Sequence, residues 1–272
     1  PAIFYIHHTQ SLTTLHMAGH SKWANIKRQK ARVDSKRGKI FAKVSREIIV
    51  AAKHGGGDPD GNFQLRTAIE KAKAVSFQAE NIERAIAKGC GSLAGEGDFE
   101  AIRYEGYGPG GVAVLIEALT GNRNRAAADL RFAFSKNGGN LGETGCVGWM
   151  FDHKGVITLA GEIEEEALFE DALEAGAESY ELVEEIDEEM PGAEVVCDIP
   201  SLEGVSHTLR EKAYDVREVD MRWIPSNTVT VDDPEQAGSL MKMIDALEDL
   251  DDVQTVTANF DMSEEILEQA VS

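Results

Sequence analysis

The sequence predicts a multidomain protein that is α in its N-terminal part and α+β beyond it, and three observations predict it. Apolar and charged residues recur at helical spacing across residues 22–88. A glycine-rich stretch at 89–97 follows, after which short β-type runs alternate with helical ones. From Val156 onward those runs fall in the order βαββαβ, the split-βαβ pattern of ferredoxin-like domains. At 272 residues, two or three compact units are expected.

The helical part breaks at His54-Gly-Gly-Gly-Asp-Pro59. Gly55 reads as a left-handed terminator, Asp58 as the cap of the next helix and Pro59 as its first residue. A further helix is expected to start at Ser76 and to stop at Gly89. Strands follow at 101–107 and 112–119, joined by the turn Gly108-Pro-Gly-Gly111, then a helix at 123–136 stopped by Gly138-Gly139. Asp152-His-Lys-Gly155, between strands at 147–151 and 156–159, reads as a hairpin turn. Next come a helix (164–175), strands near 180–183 and 194–199, a helix (202–214) and a strand (218–224). Residues 228–260 give strand, helix and strand, the helix capped by Asp233 with Pro234 at its first position. This last group needs the 101–119 hairpin to complete a sheet, which makes the middle domain discontinuous and the ferredoxin-like domain an insert within it.

The predicted division is therefore an extension at 1–16, expected to be disordered or non-native, and a basic helical domain with linker at 17–96. A middle α+β domain follows at 97–149 plus 225–272, with an acidic ferredoxin-like α+β domain at 150–224. Residues 1–16 carry no charged side chain, so they lack the cationic start of a secretory signal and the arginines of a transit peptide. Cys90, Cys146 and Cys197 are far apart and form no C-x-x-C pair, which fits a reducing compartment. A cytoplasmic location is expected, or an organellar one if 1–16 is the remnant of a targeting sequence. The best apolar run, 111–119, is interrupted by Glu117, whereas a membrane span needs about 20 apolar residues.

Net charge is −21, yet it is divided unevenly. Residues 17–90 hold 16 Lys/Arg against 7 Asp/Glu, a net of +9, while 91–272 carry a net of −30. Such asymmetry confines any polyanion contact to the basic part. Residues 155–209 contain no Lys or Arg against 17 Asp/Glu, a surface that repels phosphate. That surface serves solubility first, and second offers a face for basic proteins such as ribosomal ones.

Within the basic part, Lys36, Lys39, Lys43, Arg46 and Lys53 fall in an arc of about 100° when residues are spaced at about 100° around a helix, with Phe41, Val44, Ile48 and Ala52 opposite. Arg37 belongs to the same segment. Ahead of it Lys22, Lys27, Arg28, Lys30 and Arg32 surround Trp23. A row of this kind displaces condensed counterions from a phosphate backbone; the competing reading is a solvated helix face. Trp23 reads first as a packing residue and second as a platform for an unpaired base. Gly121-Asn-Arg-Asn-Arg125 enters a helix, where positive side chains oppose the macrodipole. Arg123 and Arg125 are expected to pair with nearby carboxylates or, alternatively, to frame a secondary anion site.

Signals for catalysis are absent. Asp58-Pro-Asp-Gly-Asn62 begins like a calcium loop, but its glycine comes fourth and Ile69 stands where a bidentate Glu belongs. Gly108-Pro-Gly-Gly111 lacks the Lys-Ser/Thr of a phosphate-binding loop, and no G-x-S-x-G motif occurs. The histidines are scattered without metal-ligand spacing. No catalytic residue, metal, cofactor or small-molecule substrate is predicted.

Several motifs resemble the YebC family: Met17-Ala-Gly-His-Ser-Lys-Trp-Ala-Asn-Ile-Lys27, Arg37-Gly-Lys-Ile-Phe41, Gly56-Gly-Asp-Pro59, Asn81-Ile-Glu-Arg-Ala-Ile-Ala-Lys-Gly89 and Tyr104-Glu-Gly-Tyr-Gly-Pro-Gly-Gly111. Residues 121–125 and Gly138-Gly-Asn-Leu-Gly142 match as well. The resemblance runs from Met17 almost to the C-terminus and leaves 1–16 outside it. Ser76-Phe77-Gln78 departs from the family's Asn-Met-Pro, and Cys146 stands where Ser is common. The resemblance implies three domains, with the ferredoxin-like one inserted into the other α+β domain, and no cofactor. Bacterial members are described as DNA-binding transcriptional regulators and the mitochondrial relative as a translational activator of a cytochrome oxidase subunit; members are also linked to ribosomes translating proline-rich stretches.

The expected function is that of a non-enzymatic nucleic-acid-binding regulator of gene expression. A ribosome- or RNA-associated translation factor holding rRNA or tRNA stands first, because Lys and Arg dominate the cationic face and chiefly position a protein on phosphate. A regulator bound to duplex DNA is the alternative, with Asn25 and Gln29 as base-reading candidates. A protein–protein scaffold is the third reading.

Overall fold

The computed structural model describes residues 13–14, 37–92, 99–187 and 190–271. Helices come first and antiparallel sheets follow, a multidomain α+β architecture. In chain order the helices are α1 (Arg37–Gly55), α2 (Phe63–Ala74), α3 (Ala79–Gly89), α4 (Arg123–Lys136), α5 (Glu165–Ala175), α6 (Leu202–Glu211), α7 (Pro234–Glu248) and α8 (Glu264–Val271). The strands are β1 (Thr13–Thr14), β2 (Glu100–Tyr107), β3 (Ala113–Thr120), β4 (Asn140–Leu141), β5 (Phe151–Ala160), β6 (Ser179–Asp187), β7 (Met190–Cys197), β8 (Asp215–Pro225), β9 (Val229–Thr230), β10 (Val253–Ala258) and β11 (Phe260–Asp261). Two compact units result. One holds residues 153–222 with β1, and the other holds the described residues of 17–152 and 223–272. No helix among the described residues is long and apolar enough to cross a membrane.

In the larger unit, α1 turns Val44, Ile48, Ile49 and Ala52 onto Leu65, Ala68, Ala72, Ile82 and Ala85 of α2 and α3. Gly89 sits where α3 meets α1. A Cβ there would collide with the Ile49 carbonyl, so glycine permits the close approach.

The α1–α2 connection departs from the expected capping. Asp58 Oδ1 accepts the Asp60 N–H at 3.1 Å, but the chain there forms a turn and the helix begins only at Phe63. Asn62 caps α2 instead, its Oδ1 accepting the Leu65 N–H at 3.1 Å. The same side-chain amide donates to the carbonyls of Ala51 and Gly56, binding the end of α1 to the start of α2. Ser76 does not start a helix either. It adopts φ 61°, and its N–H and that of Phe77 close the end of α2 on the Lys73 and Ala72 carbonyls.

The larger unit also contains an antiparallel sheet of order β10-β3-β2-β4. The return of the C-terminal part is read in the register Val256↔Ile116. Val112, Val114 and Ile116 pack with Leu130 and Phe134 of α4 and with Leu240 and Met243 of α7. Asp233 caps α7 by accepting the Glu235 N–H at 2.8 Å, with Pro234 at the first helical position.

In the smaller unit the order is β5-α5-β6-β7-α6-β8, and β7 lies between β5 and β6, antiparallel to both. Thr13–Thr14 pairs in parallel with Ser179 and Tyr180 on β6. The expected turn at 152–155 does not exist; the chain runs straight through it as β5. Packing, not turning, selects Gly155, because a Cβ would lie 2.8 Å from Leu202 Cδ1 and 3.1 Å from Cys197 Sγ. Most cations of this unit are paired within it. Lys154 lies 2.7 Å from Glu178 and from Asp198, Lys212 holds Asp171 and Glu174, and Arg222 donates to Glu194 and Glu218.

One buried carboxylate organises the loop ahead of β5. Glu105 accepts the N–H groups of Gly145, Val147 and Gly148 at 2.9, 2.8 and 2.6 Å. These bonds hold the turn that carries Trp149, whose side chain is 69% exposed. Burial pushes the Glu105 carboxyl up, but the three N–H donors and Arg103 together outweigh it and hold the group below its ordinary value of 4.5. A lowered folded pKa gives stability that is full above the unfolded value and is lost as pH falls through the folded one. Glu105→Gln is therefore expected to cost about 1–3 kcal/mol at neutral pH by leaving charge-assisted bonds weakened. In thermal melts from pH 7 to 3, the gap between intact chain and variant should narrow below pH 4.5. A gap independent of pH would show that the carboxylate charge is not what holds the turn.

Candidate nucleic-acid interface

Of the twelve N-terminal positions predicted to meet nucleic acid, Lys22, Trp23, Lys27, Arg28, Lys30, Arg32 and Lys36 lie outside the described residues. Arg37 opens α1, and Lys39, Lys43, Arg46 and Lys53 follow along it. The helix period that buries Val44, Ile48 and Ala52 places Lys39, Lys43 and Arg46 together on another side.

That side meets the end of α7 and the turn into β10. Lys39 Nζ donates to the Asp249 carbonyl at 3.1 Å and lies 3.6 Å from its carboxylate. Lys43 Nζ donates to the Glu248 carbonyl at 2.8 Å. Arg46 donates to the Asp251 carbonyl and approaches the Asp252 carboxylate at 4.0 Å. The chemistry of α7 explains the match. A helix leaves its last carbonyls unpaired and carries partial negative charge there. α7 has no basic residue in its last turn and continues into Glu248-Asp249-Leu250-Asp251-Asp252. The cations of α1 supply from across the fold what α7 lacks in its own sequence.

Lys53 and Phe99 extend the contact. Lys53 Nζ donates to the Phe99 carbonyl at 3.5 Å, and Arg46 and Lys88 lie 5.6 and 5.8 Å from the Phe99 ring centre.

The second predicted group begins α4. Asn122 caps that helix by accepting the Arg125 N–H at 3.1 Å. Arg123 Nε lies 3.5 Å from Glu100, and Arg125 donates to Asp252 Oδ2 at 2.8 Å. Thr120 Oγ1 donates to that same oxygen at 3.0 Å. The hydrogen bond to Asp252 pushes the Arg125 pKa further up. Arg46 and Arg125, assigned to separate sites from the sequence, thus converge on one carboxylate whose side chain is 8% exposed. Its Oδ1 makes no hydrogen bond. Around it opens a cleft of about 500 Å³ lined by Lys39, Arg46, Arg125, Asp129, Asp249 and Asp251.

The acidic turn 249–252 was not among the predicted site residues. Its signal was available, namely an amphipathic helix ending on four acids with no base to offset its dipole. Among the described residues, no group of His, Cys, Asp and Glu is arranged to hold a metal ion.

Comparison with known proteins covers most of the chain. A family model described as the TACO1/YebC protein N-terminal domain matches residues 21–92, and one described as the TACO1/YebC second and third domain matches 99–260. A "probable transcriptional regulatory protein" of Rippkaea orientalis is 66% identical over 252 residues, covering 92% of this chain and 98% of that one. A relative of the same description from Nostoc punctiforme is 65% identical over 257 residues, covering 94% of this chain and all of that one. The crystal structure of a conserved hypothetical protein from Aquifex aeolicus superposes with a TM-score of 0.80 at 46% identity, covering 90% of this chain and 99% of the other.

The contacts differ in worth. Lys39 and Asp249 have side chains 47% and 60% exposed, so their pairing contributes about 0–1 kcal/mol. Arg46 is only 17% exposed and faces a buried carboxylate. Lys39→Ala is expected to change unfolding free energy by at most about 0.5 kcal/mol, and Arg46→Ala to lower it by about 1–2 kcal/mol. Urea denaturation of both variants decides this; equal, small effects would mean that Arg46 is not part of the fold's electrostatic closure.

Proposed function

The chain belongs to the TACO1/YebC family, and from that premise we propose that it is a non-enzymatic regulator of gene expression that binds nucleic acid through its N-terminal helical part. One observation carries this reading. A chain of net −21 keeps a net of +9 in residues 17–90, and the described part of that excess is concentrated on one side of α1. Lys39 and Lys43 donate to two main-chain carbonyls, and Lys39 also meets an exposed carboxylate, contacts that water and phosphate replace at small cost.

The anatomy we assign to this function is a basic module at 17–96, a discontinuous middle domain at 97–149 with 225–272, and an acidic ferredoxin-like insert at 150–224. The position of β7 between two strands antiparallel to it supports the last of these. Service in translation, on RNA or the ribosome, is the reading placed first. A face made of Lys and Arg chiefly positions a protein on phosphate, and the acidic insert offers basic ribosomal proteins a complementary surface. Control of transcription on duplex DNA is the second reading, favoured by the description of the Rippkaea and Nostoc relatives as probable transcriptional regulatory proteins.

Binding to labelled single-stranded RNA, duplex DNA and purified ribosomes across a salt series tests both. With about five phosphate contacts, log K should fall against log salt with a slope of about −3.5 to −4.5. A Lys39→Gln, Lys43→Gln, Arg46→Gln triple variant should flatten that slope by about 2–3. Preference for ribosomes supports translation, and sequence-selective duplex binding supports transcription. A slope indifferent to the triple variant would remove α1 from the interface.

A further inference from the structure

We propose that the cleft between α1 and the α7–β10 turn is a binding site for the phosphodiester backbone of nucleic acid, and that the acidic turn 248–252 is its built-in competitor. This rests on the polyanion reading of α1 given above and adds to it a location, a second wall and a resident occupant. Three cations from two separate parts of the chain face the cleft, Lys39 and Arg46 from α1 and Arg125 from α4. Arg46 and Arg125 share Asp252, and Lys39 meets Asp249 on the same turn. A helix face built to be solvated would spread its cations over water. These, together with Lys43, instead converge on successive carbonyls and carboxylates at 248, 249, 251 and 252.

That series of acceptors resembles a short polyanion. Carbonyl oxygens bearing helix-end partial charge alternate with full charges on Asp249, Asp251 and Asp252, and a phosphate backbone presents the same alternation of neutral and charged oxygens. Asp252 is buried and anchored by Thr120 and Arg125, so it stays with the middle domain. Asp249 and Asp251 are exposed at the mouth of the cleft. Bound phosphates take over Lys39, Lys43 and Arg46 from the turn, and Arg125, with 58% of its side chain exposed, becomes the opposite wall. Ribose and deoxyribose backbones share this chemistry, and the two probes below distinguish them.

The test uses the full chain and fluorescein-labelled oligouridylate and oligodeoxythymidylate of about 20 nucleotides, a length that spans the cationic row at one charge per nucleotide. Asp249→Asn with Asp251→Asn keeps every carbonyl contact and deletes two competing charges. Affinity at about 0.1 M salt is expected to rise about three- to tenfold, as the loss of two partly screened repulsions would give. Glu166→Gln with Glu170→Gln on α5 makes the same change in net charge and should shift affinity less than twofold. Arg125→Gln added to the Asn pair should reverse a large part of the gain; a thermal melt shows whether that variant is folded, and if it is not, the Asn pair alone decides. Unchanged or weaker binding by the Asn pair, or an equal gain in the control, overturns the competitor while the intact chain's binding leaves the polyanion reading standing. Absence of binding by the intact chain and all variants, to both probes, removes that reading and this inference together. A gain confined to one probe supports the site and assigns it to that backbone.

Discussion

The closure of α1 on the end of α7 is the contact on which the electrostatics of the larger unit depend. Each partner is unfavourable alone. Lys39 and Lys43 are like charges four residues apart on one helix, and Arg46 follows three residues later, spacings that disfavour a helix by a few tenths of a kcal/mol each. α7 ends on acids that oppose its own macrodipole. Set against each other, the two faults offset. The basic and acidic parts of the chain are thus separated in sequence but joined in space, and a net-charge count cannot distinguish those arrangements.

The smaller unit follows a different rule. Residues 153–222 hold five Lys/Arg, and Lys154, Lys212, Arg217 and Arg222 each lie against carboxylates of that same unit. Four of these five positive charges are held within its own fold, as with Arg222, half-buried among Glu194, Glu218 and Asp220. What remains is a strongly negative unit that repels phosphate.

Much of this was legible in the sequence, and the misses share a cause. α4 and α7 were readable because their signals are local: an apolar period, Asn122 or Asp233 at the cap, Pro234 at the first position. The cationic side of α1 was readable for the same reason. Asp58 and Gly155 misled because each residue type has two uses. Asp58 could cap or turn, and only the buried Asn62 amide, bridging two helices, decides against capping. Gly155 could turn or make room, and only Leu202, far along the chain, decides for room. The acidic half of the cleft was hidden in a similar way. Its contacts with α1 span more than 200 residues, and with 48 Asp/Glu in the chain no carboxylate stands out until the fold selects it.

A resident competitor changes what the site selects as well as how tightly it binds. The turn is held at the cations by the fold, so its effective concentration there is high and a free ligand must exceed it. A nucleoside monophosphate brings one phosphate and would replace at most one contact, while the turn holds the others. A strand brings several phosphates at once, releases several counterions and replaces the whole set in one event. The competing turn would lower the apparent affinity for any ligand, and ligands long enough to span the row would displace it at every cation. On the site proposed above, an internal contact distributed over Lys39, Lys43 and Arg46 would discriminate polymer from monomer through phosphate alone.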